Sequence, residues 1–269
     1  MKKTYVFFCI ALSFIVAGCS NDSVSSVEES PKETVPQEAI PQETVLTRDD
    51  IKESSVKDNR DGETYRTVKI GKQWWMAENL RYAADSSLCY NDEDYFCETY
   101  GRLYPWVTAM NIDTIYRNKG AIYNDIVDSL HQGVCPKGWH IPTKTEWEIM
   151  IEFVQTHNGT EGDGTSLRAP EMWAEYGEGE SMVTHSDRFG FSVLPAGLHT
   201  DPTADRDANI YEKFTGHAFF WTSTEVKSFR SDVSKAYHVW FCGQSNDDAV
   251  QLKDDESKRN AMSIRCIKN

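Results

Sequence analysis

Five cysteines follow residue 19 in this chain, and the residues before them decide what those thiols can do. Lys2 and Lys3 give a positive start. Tyr5 to Ala17 is apolar apart from the mild interruptions of Cys9 and Ser13, and the small residues Ala17 and Gly18 close it. A basic start, a short apolar stretch and small residues at its end form the pattern of an export signal. At roughly 13 residues the run is shorter than the ~20 that a spanning helix needs. Export carries the chain to a compartment where disulfides persist.

The cysteines sort by position. Cys89 and Cys97 enclose the acidic stretch Tyr-Asn-Asp-Glu-Asp-Tyr-Phe and are expected to bridge locally. A Cys135–Cys266 bridge would close a loop of ~130 residues, for which chain entropy predicts about 4–5 kcal/mol of stabilisation. Five is odd, so Cys242 is expected to stay a thiol. A zinc site has little support, because no C-x-x-C or His-x-x-x-His pairing occurs.

Val16-Ala17-Gly18-Cys19 also resembles the lipobox of bacterial lipoproteins, in which the cysteine is acylated and becomes the first mature residue. That resemblance implies lipid on Cys19 and a membrane as partner. Ser20, in place of Asp, points to the outer membrane, with periplasmic and outward orientation both open. The formal charge of −14 argues against nucleic acid or an anionic lipid surface as further partner, since both require a basic face.

Residues 1–18 read as the signal, 19–57 as an extended stalk and 58–269 as one folded domain. The stalk holds Pro31-Lys-Glu-Thr-Val35, Pro36-Gln-Glu-Ala-Ile40 and Pro41-Gln-Glu-Thr-Val45. Proline at every fifth position prevents a helix, and low apolar content prevents a core. In the domain, Thr64–Ile70 and Gln73–Met76 read as a hairpin around Gly71-Lys72. Thr143 and Glu146 form a capping box for a helix whose apolar stripe is Trp147, Met150, Ile151 and Val154. Asn158–Gly164 reads as a glycine- and acid-rich loop. Phe189–Leu194, Ala218–Thr222, Ala236–Phe241 and Met262–Ile267 read as strands. Strands, a helix, then strands between long loops make an α+β domain.

Several strings stand in a fixed order: Asp61-Gly-x-x-Tyr65, Thr67-Val-Lys-Ile-Gly71, Trp75-Met-Ala-Glu-Asn-Leu80, Tyr100-Gly-Arg-Leu-Tyr104, and Cys135-Pro-x-Gly-Trp-His140-x-Pro with Glu146-Trp147. Phe189-Gly-Phe-Ser-x-Leu-Pro-Ala-Gly197, Phe220-Trp-Thr-Ser-Thr-Glu225 and Ser263-Ile-Arg-Cys266 complete them. Together they resemble the Fibrobacter succinogenes major paralogous domain, a family of exported bacterial proteins. The resemblance implies a fold similar to C-type lectins, with short antiparallel strands, one or two helices, long loops and a disulfide-tied terminal strand. This chain departs from the pattern by inserting Asn111–Gln132 and by carrying Cys242 where an aromatic is more usual.

No catalytic pattern emerges. G-x-S-x-G, H-E-x-x-H and phosphate-cradling loops are missing from the sequence. Ser223 beside Glu225 is explained more simply by a hydroxyl that fixes a turn. Calcium needs several converging oxygens, and Asn91–Asp94, Glu161–Asp163 and Asn246–Asp248 could supply them, although solvated acidic turns are the plainer reading. No cofactor is otherwise expected. The candidate ligand residues are Glu225, Trp240, Asn246, Asp247 and Asp248, which sit near a late Trp-rich strand without the Glu-Pro-Asn partner of calcium-dependent sugar sites. The expectation is a lipid-anchored, non-catalytic envelope protein that presents a lectin-like domain to a glycan, a polysaccharide or a surface protein. A structural part of an envelope assembly is the alternative.

Overall fold

The computed structural model describes residues 44–121, 126–174, 185–203, 211–226, 234–243 and 249–269. Cys19, the repeats up to residue 43 and Asn246–Asp248 lie outside the described residues. Order begins earlier than the sequence suggested. Thr47 N and Oγ1 both donate to Asp50 Oδ2, at 2.9 and 2.8 Å, closing a turn over Arg48–Asp50. Strand β1 (Lys52–Lys57) then pairs antiparallel with β2 (Thr64–Ile70). Residues 44–57 therefore belong to the domain, which corrects the stalk boundary at residue 57. The cause is that β1 is an edge strand: five of its six side chains are exposed, so it carries no apolar alternation to read.

The hairpin forms as its residues demand. β2 returns through Gly71, at φ +58°, into β3 (Gln73–Met76), with Ile70 opposite Gln73. A positive φ at the first turn position suits glycine. Short elements follow: α1 (Asp94–Tyr100), β4 (Tyr104–Pro105), α2 (Trp106–Ala109) and β5 (Trp139–His140). Next come the long α3 (Lys144–His157), α4 (Asp163–Leu167), β6 (Leu198–His199) and β7 (Tyr211–Glu212). The chain closes with β8 (His217–Glu225), β9 (Lys235–Cys242), β10 (Gln251–Ser257), β11 (Ala261–Met262) and β12 (Ile267–Lys268).

These strands make three antiparallel sheets, ordered β1-β2-β3-β12-β5, β10-β9-β8 and β4-β11-β6-β7. The architecture is α+β, with several small sheets and few helices among the described residues. Helix α3 begins as its capping box requires, with Glu146 Oε2 accepting from Thr143 N at 2.8 Å. Its stripe of Trp147, Met150, Ile151 and Val154 is buried with Trp75, Phe191 and Phe220. A second cluster gathers Tyr104, Trp106, Trp221, Met262 and Cys266. Both expected bridges, Cys89–Cys97 and Cys135–Cys266, are present, and Cys242 is a buried free thiol.

Three elements differ from the sequence reading. Phe189–Leu194 is not a strand. It runs through a turn with Gly190 at φ +63° and Ser192 at φ +51°, and only Val193 bridges to Arg168. The carbonyls of Phe191 and Ser192 are taken by the Arg265 guanidinium, and Asp187 accepts from Ser192 N and Oγ, so no sheet partner is needed. The loop after α3 ends by entering α4 at Asp163. The Met262–Ile267 run divides into β11 and β12, which belong to different sheets.

Candidate functional site

A side chain's face on β8–β10 follows from strand alternation. Ala218, Phe220, Val239 and Phe241 point into the cluster under α3. Phe219 pairs with Trp240, Trp221 with His238, and His238 with Lys253, which places these side chains on the other face. Part of that face is the floor of an open hollow of about 560 Å³. Leu198 and Thr200 from the β6 end, Lys213 from the turn before β8, and Asp255, Glu256 and Asn260 around the end of β10 complete its walls.

Aromatic rings define the floor. Trp240 Nε1 donates to His217 Nδ1 at 2.8 Å, with the ring planes 18° apart, so the two rings meet at their edges. Because Nδ1 accepts, a neutral His217 carries its proton on Nε2. Phe219 lies 12° from the Trp240 plane, its centroid 6.5 Å away. Trp240 is half-buried, and the Lys253 ammonium sits 4.4 Å above its ring centre. His238 is buried. That burial pushes its pKa down to about 4, and its Nδ1 has no hydrogen-bond partner among the described residues. Burial also raises the Glu256 carboxyl, against the hydrogen bond that Asn260 Nδ2 donates to Oε2 at 2.6 Å.

Other hollows offer less. One of about 950 Å³ is bordered by Glu63, Glu78 and Arg81, which are already paired with each other at 2.9 and 3.4 Å. In another, the Arg60 guanidinium lies over the Tyr82 ring at 3.7 Å and is already committed to Asp58 at 2.5 Å and to the Val134 carbonyl at 2.7 Å.

Of the two candidate ligand residues that lie among the described residues, Trp240 lines the 560 Å³ hollow. Glu225 does not, and this corrects its assignment. It is buried in an ion pair with Lys258 at 2.6 Å and accepts from Ala121 N at 3.0 Å. Lys258 Nζ also donates to the carbonyls of Tyr116 and Lys119, at 2.7 and 2.9 Å. The pair thus fastens the stretch from Tyr116 to Ala121 to the domain. Asn246, Asp247 and Asp248 lie outside the described residues.

Three of the other acidic candidates are engaged by protein donors. Asp92 accepts from the Tyr211 hydroxyl at 2.6 Å, Glu161 pairs with Arg188, and Asp163 accepts from Gly164 N and Val250 N. Among the described residues no group of three or more His, Cys, Asp or Glu is placed to hold a metal ion. Ser223 is buried, its N–H donating to Pro142 O. Sequence reasoning missed His217, Phe219, His238 and Lys253. They come together only through strand register, and the one usable signal was alternation along β8 and β9.

A model of the Fibrobacter succinogenes major domain matches residues 68–268. The chain belongs to that family. No curated protein and no solved structure matches it.

The motifs of this Fibrobacter succinogenes major domain do a different job from the hollow. Arg265 is fully buried and donates to Asn79 Oδ1 at 2.6 Å and to the carbonyls of Met76, Phe191 and Ser192. Burial lowers its pKa to about 9. Asn79 Nδ2 reaches Tyr100 O at 2.8 Å. Gly101, at φ +81°, packs where a side chain would strike Asn79 Cβ at 2.5 Å. Trp106 Nε1 donates to Thr222 O and Trp221 Nε1 to Tyr104 O, both at 2.9 Å. His140 bonds Glu146 Oε1 and Asn269 Oδ1, each at 2.9 Å. Burial opposes the His140 charge, yet those partners outweigh it and raise its pKa. The motif residues therefore build the interior frame, and every residue lining the hollow falls outside the quoted motifs.

Proposed function

We propose that this protein is a non-catalytic, lipid-anchored envelope protein whose lectin-like domain binds a glycan in the hollow around Trp240. The observation that carries this reading is a half-buried indole in an open hollow whose walls alternate aromatic rings with charged and amide side chains. Sugar rings present apolar C–H faces that suit an indole, while their hydroxyls need fixed polar partners. Of the other seven tryptophans, Trp75, Trp106, Trp147 and Trp221 are fully buried, Trp139 and Trp173 nearly so, and Trp74 is half-buried against the core. The lectin-like reading is supported by the first and last strands of the domain sharing one sheet, and by the disulfide that ties the residue before β12 to Cys135. The export signal and the lipobox at Cys19 support anchorage in the outer membrane.

Retention on immobilised polysaccharides and cell-wall material tests the binding. Full-length protein should be retained and released by soluble saccharide. Trp240→Ala should lose retention while its far-UV circular dichroism shows a folded domain. Failure of the unaltered protein to bind any polysaccharide would contradict the reading.

A second reading, attachment to another protein of an envelope assembly, has its own support. Ile115, Ile126 and Leu130, all in the inserted segment, are among the seven large apolar side chains exposed in the described residues. Ile115→Ser with Leu130→Ser would then release a co-purifying protein without altering saccharide retention.

A further inference from the structure

The charge of the hollow runs against that of the molecule. The chain has 42 Asp and Glu against 28 Lys and Arg. The hollow has three lysines, Lys213, Lys235 and Lys253, facing Asp255 and Glu256. Glu256 is pushed toward its neutral form by burial, and it already accepts from Asn260. His238 is neutral at physiological pH, so it adds no positive charge, but its Nδ1 is a buried polar atom without a partner among the described residues. A group of that kind in a natural fold calls for an explanation, and a ligand donor or acceptor is one. Above the indole, the ammonium of Lys253 is held 4.4 Å from the ring centre by attraction to the ring face, already placed at the edge of the binding surface.

We propose that the hollow takes an acidic saccharide, with a sugar ring against Trp240 and its anionic group between Lys253 and Lys235. The proposal rests on the glycan reading of the same site. A neutral sugar offers those ammonium groups only hydroxyl acceptors, a weaker return for their partial desolvation than an anion gives. An anionic one offsets that desolvation with charge-assisted hydrogen bonds. The acidic remainder of the surface repels polyanions in general, so acceptance would be confined to this one place. Carboxylate and sulfate sugars share the required chemistry.

Calorimetric titration of the full-length protein separates the possibilities. The probes are oligosaccharides of polygalacturonate, the same oligosaccharides fully methyl-esterified, sulfated chondroitin oligosaccharides and neutral xylan oligosaccharides. The acidic members should bind at least about tenfold tighter than the ester, as a single partly buried charge pair predicts. That preference should shrink between about 0.1 and 1 M salt, as the Debye length falls from about 10 to 3 Å. Lys253→Gln should reduce it with no change in melting temperature. Carboxylate and sulfate arms report which anion is preferred. Equal or tighter binding of the ester or of xylan would overturn the acidic preference and leave the glycan reading standing. No heat with any of the four would overturn both.

Discussion

At Arg265 a single guanidinium joins Asn79, the end of β3 and the Phe191–Ser192 turn, with Phe191 and Phe220 rings against its faces. Four acceptors depend on its fork geometry, which an ammonium cannot reproduce. Arg265→Lys should therefore destabilise the domain by roughly 3–5 kcal/mol, read as a lowered urea midpoint, because at least two buried acceptors lose their donors at about 1–3 kcal/mol each. A loss below about 1 kcal/mol, the size of a surface contact, would show that the network is not structural. His238 gives the pH dependence. Its folded pKa of about 4 lies below the ordinary ~6.5, so the folded state holds fewer protons than the unfolded state between those values. Stability then falls as pH drops through that window, by roughly 3 kcal/mol in full. His238→Gln should flatten this part of the acid limb in melts at pH 7, 6, 5 and 4. His140 works in the opposite direction: its raised pKa gives stability that is present in acid and lost as pH rises through the folded value. None of these partners is visible in sequence. The Ser-Ile-Arg-Cys string marks Arg265 as special, but only the fold shows that its target is backbone.

Local elements were the legible part of the chain. Helix α3 could be read because its cap and its apolar stripe lie within a dozen residues of each other, and the hairpin because Gly71 sits at a turn that needs a positive φ. β1 could not, since an edge strand is held by backbone pairing and leaves its side chains to solvent. Phe189–Leu194 has the composition of a strand, yet a buried arginine takes its carbonyls. The stretch around Tyr116 and Lys119 is held by Lys258, which reaches both carbonyls and Glu225 at once. Lys258→Met would leave Glu225 buried without its cation, and trypsin should then cut at Arg117 or Lys119 several-fold faster. Adding Glu225→Gln should restore much of the protection, because the uncompensated charge is gone. Unchanged cleavage in the single variant would mean that the ion pair does not hold the segment.

Across the whole molecule, short strands and long loops leave much of the chain tied by few ladders, and the cysteines compensate. The Cys135–Cys266 bridge spans 131 residues, so its reduction should remove about 4–5 kcal/mol by chain entropy, against about 2–3 for Cys89–Cys97 with its span of 8. Melts of Cys135→Ser/Cys266→Ser and Cys89→Ser/Cys97→Ser proteins should show that order, and a larger loss from the local pair would contradict it. The pairing itself was readable from position. The hollow was not, because its lining comes from the β6 end, the turn before β8, β9 and β10, far apart in sequence and outside the motifs. The division of labour follows: motif residues fill the interior and hold the frame, while residues between the motifs line the hollow. The most direct test is a crystal structure of the full-length protein with the tightest-binding saccharide. A sugar ring against Trp240, with an anionic group beside Lys253, is the result expected. A saccharide seated on the Arg60–Tyr82 hollow or elsewhere, with Trp240 untouched, would contradict the account.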